Sequence, residues 1–243
     1  MYSTLFTIFG IPIRSYGLML AIAFVAGMFA ALKRAEAKKI PQDYIYDISG
    51  ICLISGVLGS RALYIALNPT TERWSDFFKV WQGGLSFHGG LILALLCGLV
   101  YCRAKKLRFL EMCDLFMPSL ALGYAIARIG CFLNGCCAGG PTNLPWGVRF
   151  DGETSCHPTQ IYAAVANVII FFILTRLEKK PSKPGFLLCS YVAMYALYRF
   201  LVEFLREGYS AEMWRFGLTQ AQGFSVLMFL VGLFFALKLR KSP

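Results

Sequence analysis

The sequence is short of charge. Only 15% of its 243 residues are Asp, Glu, Lys or Arg, and just 13 are acidic. Soluble domains keep about a quarter of their residues charged, so a surface wetted on all sides is excluded. Histidine is scarcer still: the two copies, His88 and His157, are the only sources of imidazole chemistry. There is no internal repeat, which argues against the paired halves common among transporters. There is also no low-complexity tract and no separate soluble domain. The first apolar stretch lacks a basic leader and a small-residue cleavage site, so it reads as a retained helix and not as a signal peptide.

What is present is apolar. The chain is 57% hydrophobic, with a mean hydropathy of +0.59, and lipid explains this better than a large core does. The formal net charge of +11 would suggest nucleic acid in a soluble protein. Here the basic residues sit in short loops between apolar spans, the pattern of an inner-membrane protein, and no nucleic-acid partner is expected. Seven spans of near-bilayer length can be read, at about 16–32, 44–67, 85–102, 110–129, 159–174, 185–204 and 219–237. The fifth is short. The expected fold is an all-α integral membrane protein of seven transmembrane helices, a single domain over residues 1–243. Its longest loops are about 68–84 and 130–158.

Orientation follows from Lys and Arg. Lys33, Arg34, Lys38 and Lys39 follow the first span; Arg103, Lys105, Lys106 and Arg108 follow the third. Arg176, Lys179, Lys180 and Lys183 follow the fifth; Lys238, Arg240 and Lys241 follow the last. These are most of the 24 basic residues, and all fall on one side of an odd helix count. The positive-inside bias predicts a cytoplasmic C-terminus, an outer N-terminus and a small periplasmic loop region.

That orientation gathers the remaining polar residues at the outer side. Tyr16 opens span one, Arg61 lies toward the outer end of span two, and His88 opens span three. Arg128 ends span four, and His157 precedes span five. Tyr195, Arg199 and Glu203 recur every four residues and share one face of span six. Ionisable groups inside apolar spans are costly and usually face a protein interior or a wet cavity. The stretch 121–140 concentrates the pattern: an apolar helix carrying Arg128 runs into Asn134, Gly135, Cys136, Cys137 and two glycines. A histidine suits proton transfer near neutral pH. Arginine forks suit a phosphate, and at an outer membrane interface the obvious phosphate is a phospholipid headgroup. The bland alternatives are a satisfied helix-terminal His88 and an Arg–Glu network that pins helices.

Nine cysteines are present, and Cys52, Cys97, Cys102, Cys113 and Cys189 lie in or beside apolar spans as small buried hydrophobes. Cys131, Cys136, Cys137 and Cys156 cluster around one polar region. Their spacing is not a standard zinc pattern, so no metal is expected. A disulfide is the other alternative, and packing in a tight corner is the simplest reading. His157-Pro158-Thr159-Gln160 reads as a helix start.

Five motifs in order carry a resemblance: SYGLM around Tyr16, SFHGG around His88, ARIGCFLNG around Arg128, HPTQIY at His157 and YALYRFLVEFLR from Tyr195. Together they resemble the bacterial prolipoprotein diacylglyceryl transferases, over most of the chain. The resemblance implies transfer of a diacylglyceryl group from a phospholipid, phosphatidylglycerol, to the lipobox cysteine of a prolipoprotein, with glycerol phosphate released. It implies a seven-helix fold with an outer N-terminus, and a site open to the outer leaflet of the bacterial cytoplasmic membrane. It assigns His88, Arg128, Arg199, Tyr195 and Tyr16 to catalysis. It assigns Arg61, Asn134, Gly139, Glu203 and His157 to substrate binding or support. His88 is the candidate base and the arginines the phosphate ligands. The implied partners are the phospholipid donor, the prolipoprotein signal peptide and membrane lipids; no cofactor is implied. The chain departs from the family pattern at Ala127, Cys131, Cys136 and Ala163, where the family resembles Gly, Asn, Glu and Glu. A same-fold paralogue with another acceptor or no catalysis is the first rival reading. A thiol-redox or transport membrane protein is the second.

Overall fold

The computed structural model describes residues 4–8, 11–70, 73–79, 83–150, 152, 154–206 and 217–240, with backbone alone at 4–6, 8 and 11–13. Seven helices dominate: α1 (Ser15–Ala37), α2 (Gln42–Leu67), α3 (Phe87–Ala104), α4 (Phe109–Leu133), α5 (Thr159–Leu177), α6 (Phe186–Glu203) and α7 (Gln220–Leu239). Among the described residues, these seven are long and apolar enough to cross a membrane. Only 22 to 39% of each apolar stretch is buried within the chain. The rest presents side chains such as Val25, Phe29, Ile54, Val100, Phe172 and Phe234 outward, as lipid-facing helices do. A short antiparallel ribbon, β1 (Thr4–Ile8) and β2 (Ile11–Arg14), precedes α1 and is invisible in the hydropathy pattern.

The helix ends explain where the basic residues sit. α1, α3, α5 and α7 carry Arg34, Arg103, Arg176 and Lys238 in their last turns, and α2, α4 and α6 carry no basic residue there. Cations at a C-terminus complement the exposed carbonyls of the helix dipole. All four were expected just past the apolar spans but lie in the helices, which run beyond those spans. Lys241 lies outside the described residues. α1, α3 and α4 share one terminator. A left-handed residue (Lys39, Lys106 or Gly135) returns its N–H to the carbonyl three residues back. The next residue closes a 6→1 bond, from Ile40 to Ala35, Leu107 to Cys102 and Cys136 to Cys131. This is the Schellman motif.

The helices fall into two compact units. In the unit formed by residues 32–112, α2 and α3 are antiparallel: Tyr101 Oη donates to Asp47 at 2.5 Å, and the Cys52 thiol approaches the Ala94 carbonyl at 3.9 Å. Their contact is a seam of Gly56, Gly59, Gly89 and Gly90. A Cβ on Gly59 would stand 2.5 Å from the Gly89 carbonyl, so the backbones meet where only glycine fits. Lipid gives no hydrophobic drive for helix association, and such close approach is the usual substitute.

The other unit comprises residues 1–31 and 113–243. Asp114 on α4 accepts the Gly185 and Leu188 N–H groups at the start of α6, each at 2.8 Å. It is a remote N-cap for a helix whose own cap residue is a glycine. Ten residues further along both helices, Tyr124 meets Tyr195, so α4 and α6 run parallel. α7 runs antiparallel to α6. A Cβ on its Gly232 would meet the Ala193 backbone at 2.9 Å, and Thr219 reaches Glu203. Thr219 also forms a capping box with Gln222. On the other side of α4, Gly27 and Ala23 of α1 lie against Ser119 and Gly123. A core of Ala121, Ile170, Leu174, Phe186, Tyr191 and Ala236 joins α4 to α5, α6 and α7.

Candidate active site

Arg128 sits one turn before the end of α4, half-buried. An arginine there costs about 2.5–3.5 kcal/mol to insert near a helix centre and less toward the end. Its surroundings recover part of that. Nη2 donates to the hydroxyl of Tyr124, four residues earlier, and the guanidinium lies 4.7 Å from the Tyr124 ring centroid. The Tyr124 hydroxyl is 3.2 Å from that of Tyr195, and the two rings meet edge to face at 5.5 Å. Tyr195 in turn stacks on Tyr191. This phenol relay fixes one edge of the guanidinium. Its buried Nε has no hydrogen-bond partner among the described residues, so donor capacity remains for an anion.

Arg199 follows Tyr195 by one turn on α6 and pairs with Glu203. Glu203 is fully buried and also accepts from Thr219 Oγ1 at 3.2 Å. A buried carboxylate needs such partners, and here they tie α6 to the start of α7. Arg206, just past the end of α6, has a buried Nε without a partner among the described residues. Tyr16 lies in the first turn of α1, where a Cβ added to Gly130 of α4 would stand 3.5 Å from its Cα.

After Leu133 the chain turns through Gly135 into a tight corner. The Sγ atoms of Cys131, Cys136 and Cys137 all lie within 4.8 Å of one another. The Cys136 and Cys137 carbonyls are caught by the first turn of α5, through Gln160 Nε2 at 2.6 Å and Thr159 Oγ1 at 2.8 Å. The neighbouring thiols of Cys131 and Cys136, with the positive charges of Arg128 and Arg206, hold the pKa of the Cys137 thiol below its ordinary value against the opposing effect of burial. Gly139 donates to the His157 carbonyl at 2.8 Å, and Gly140 to the Leu205 carbonyl at 2.9 Å. A Cβ on Gly139 would collide with Leu205, His157 and Thr159. His157 faces the Tyr162 hydroxyl at 3.4 Å, which accepts from Trp146 Nε1 at 2.8 Å. Gly139 and His157 thus hold the corner together, and Asn134 begins it with its N–H on the Gly130 carbonyl.

Arg61 and His88 belong to the other unit. Arg61 is 1% exposed, and its guanidinium donates to the carbonyls of Gly83, Gly84 and Asp76 at 3.0 to 3.3 Å. Gly84, at φ +68°, leaves no room for a Cβ beside Nη1 and the Tyr64 ring. Arg61 therefore folds the loop between α2 and α3. His88, in the first turn of α3, is exposed, with its ring edge against Phe87. The glycines after it are spent on the α2–α3 seam.

Two contributors escape a reading of the sequence, and a third shows there only as four cysteines around one polar region. Tyr124 carries a usable signal, since it lies four residues before Arg128 on the same face. Asp114 is an acid in an apolar helix, a flag by itself, although its partner 71 residues away is not readable. The three-thiol cluster follows from the helix stop at Asn134-Gly135, which folds Cys136 back over Cys131.

The family model described as prolipoprotein diacylglyceryl transferase matches residues 3–238. A phosphatidylglycerol–prolipoprotein diacylglyceryl transferase of Finegoldia magna is 34% identical over 98% of this chain and 95% of its own length. The protein of that name from Clostridioides difficile is 36% identical over 83% of this chain and 82% of its own. That from Clostridium tetani is 33% identical over 96% of each.

Proposed function

The chain belongs to the prolipoprotein diacylglyceryl transferase family, and from that membership we propose that it transfers the diacylglyceryl group of phosphatidylglycerol to the lipobox cysteine of a prolipoprotein. In this reaction a C–S bond forms at the glyceryl carbon, the C–O bond to phosphate breaks, and glycerol phosphate leaves. His88 takes the thiol proton; its exposed ring at a helix start suits a base that must reach a substrate. Arg128 and Arg199 hold the phosphate and stabilise its charge as the ester bond breaks. Tyr16 and Tyr195 frame them, and Asn134, Gly139 and His157 shape the corner. Arg61 and Glu203 support the site by fixing a loop and Arg199 respectively.

The observation that carries this reading is the cradle at Arg128: an arginine oriented by Tyr124 and Tyr195 whose buried Nε has no partner among the described residues. The protein acts as a single domain in the bacterial inner membrane, with its N-terminus outside and its site toward the outer leaflet. The last-turn cations of α1, α3, α5 and α7, absent from α2, α4 and α6, support that orientation.

Two experiments test the proposal. In a bacterial host depleted of its own transferase, this chain should restore lipoprotein modification; failure despite correct insertion would move the assignment to another acceptor. In purified membranes, Arg128→Lys and Arg199→Lys should both impair transfer without loss of expression, because an ammonium keeps the charge and loses the fork. Near-normal rates for both would leave only a helix-pinning network.

A further inference from the structure

The end of α4 departs from two other helix ends of the same design. The Schellman motif brings the third residue from the helix end against the second residue past it, usually as an apolar pair. The pair is Ala35 and Ile40 in α1, and Cys102 and Leu107 in α3. In α4 it is Cys131 and Cys136. Cys137 then takes a left-handed conformation, φ +65°, unusual for a residue with a side chain. Its Sγ joins the other two, all within 4.8 Å of one another.

We propose that Cys131, Cys136 and Cys137 form a three-thiolate site for a thiophilic d10 cation, zinc or cuprous copper. Metal–sulfur bonds of about 2.3 Å place sulfurs about 3.8 Å apart on a tetrahedron and about 4.0 Å apart in a trigonal plane. Rotation of the side chains supplies the remaining contraction. Soft thiolates select such cations over magnesium or calcium. The supporting shell is in place: Gln160 and Thr159 hold the carbonyls of Cys136 and Cys137, fixing the backbone that carries two of the three ligands. Three thiolates around a zinc ion leave one net negative charge. Binding releases the thiol protons to solvent and involves no change of oxidation state. Three protein ligands leave one position of a tetrahedron open.

The spacing hides this arrangement. Common zinc motifs draw ligand pairs from short loops. Here one ligand comes from the last turn of a helix, and the terminator returns the chain five residues later. Simple packing does not account for all three, because Cys137 is exposed. A disulfide would use two thiols and strand the third.

The test reads metal content, so it is separate from lipid transfer. The full chain is purified in detergent under reductant and without a histidine tag, and metals are counted by mass spectrometry. The expected result is about one zinc or copper per chain, retained in Cys156→Ser and lost in the Cys136→Ser, Cys137→Ser double variant. X-ray absorption at the bound metal's edge identifies which cation it is and should show three sulfurs at about 2.3 Å. If the double variant fails to fold, cobalt(II) loaded into the unmodified chain serves instead, and thiolate-to-cobalt charge-transfer absorption is the expected signature. A chain with all three thiols reduced that takes up neither zinc, cuprous ion nor cobalt would overturn the proposal. So would a disulfide between any two of these cysteines in protein taken from membranes without reductant.

Discussion

Arg61 and Arg128 are both arginines in apolar helices, and the structure uses them in opposite ways. Arg61 is sealed, with its guanidinium shared among three backbone carbonyls of a loop in which Gly84 leaves no room for a Cβ. Arg128 is oriented along one edge by the hydroxyl of Tyr124, the one hydrogen-bond partner of its guanidinium among the described residues. Hydropathy and helix position describe the two identically. The difference lies in what the surrounding chain has already spent of each side chain's donors. The donors that folding leaves over are what an intramembrane arginine can offer a ligand.

The largest effect that would sharpen this contrast lies in the unit that holds Arg61. His88→Ala should lower transfer by about 10²- to 10⁴-fold, the usual range for a general base, with thermal stability in detergent unchanged because the ring is exposed. An active His88→Ala enzyme would move the base elsewhere. Next comes Arg128→Gln, for which we expect a loss of about 10²- to 10³-fold in kcat, comparable to removing one charge-stabilising donor, and normal insertion. If the loss tracked unfolding instead, Arg128 would be structural like Arg61.

Arg61→Lys should do the reverse. Hydrogen bonds to a charged donor are worth roughly 1.5–3 kcal/mol each, and lysine cannot span three carbonyls, so stability should fall by on the order of 2 kcal/mol. The rate per folded molecule should hold. A rate loss at unchanged Tm would break the comparison outright. The smallest effect is expected for His157→Ala, which removes one long contact to Tyr162 and leaves the backbone bonds to Gly139 and Gly140 intact. Transfer and Tm should both shift slightly; a fall as deep as that of His88→Ala would exchange the two histidines' roles.

Much of the fold was legible because lipid imposes a simple code. Apolar length located all seven helices, and the ends differed by only a few residues wherever basic side chains continue a helix past its apolar stretch, as at Arg34 and Arg176. The ribbon before α1 escaped because two short strands have no apolar span to announce them. At the site, Tyr195, Arg199 and Glu203 were readable as one helical face, and the family motifs supplied the reaction. The Arg128 cradle was not readable, since its second tyrosine comes from a helix 71 residues away. The parallel packing of α4 on α6 is set by matched surfaces and leaves no periodic trace. Nor did residue type separate Arg61 from Arg128, because donor accounting needs the loop carbonyls in place.

The cap that Asp114 lends to α6 also has a mechanical side. α4 and α6 are fastened at one end by two bonds to a single carboxylate and near the other by the Tyr124–Tyr195 contact. Two rods pinned at two points neither slide nor scissor. If the chain transfers lipid as proposed, the donor and the modified product pass along some other edge of the molecule, because the α4–α6 contact is closed.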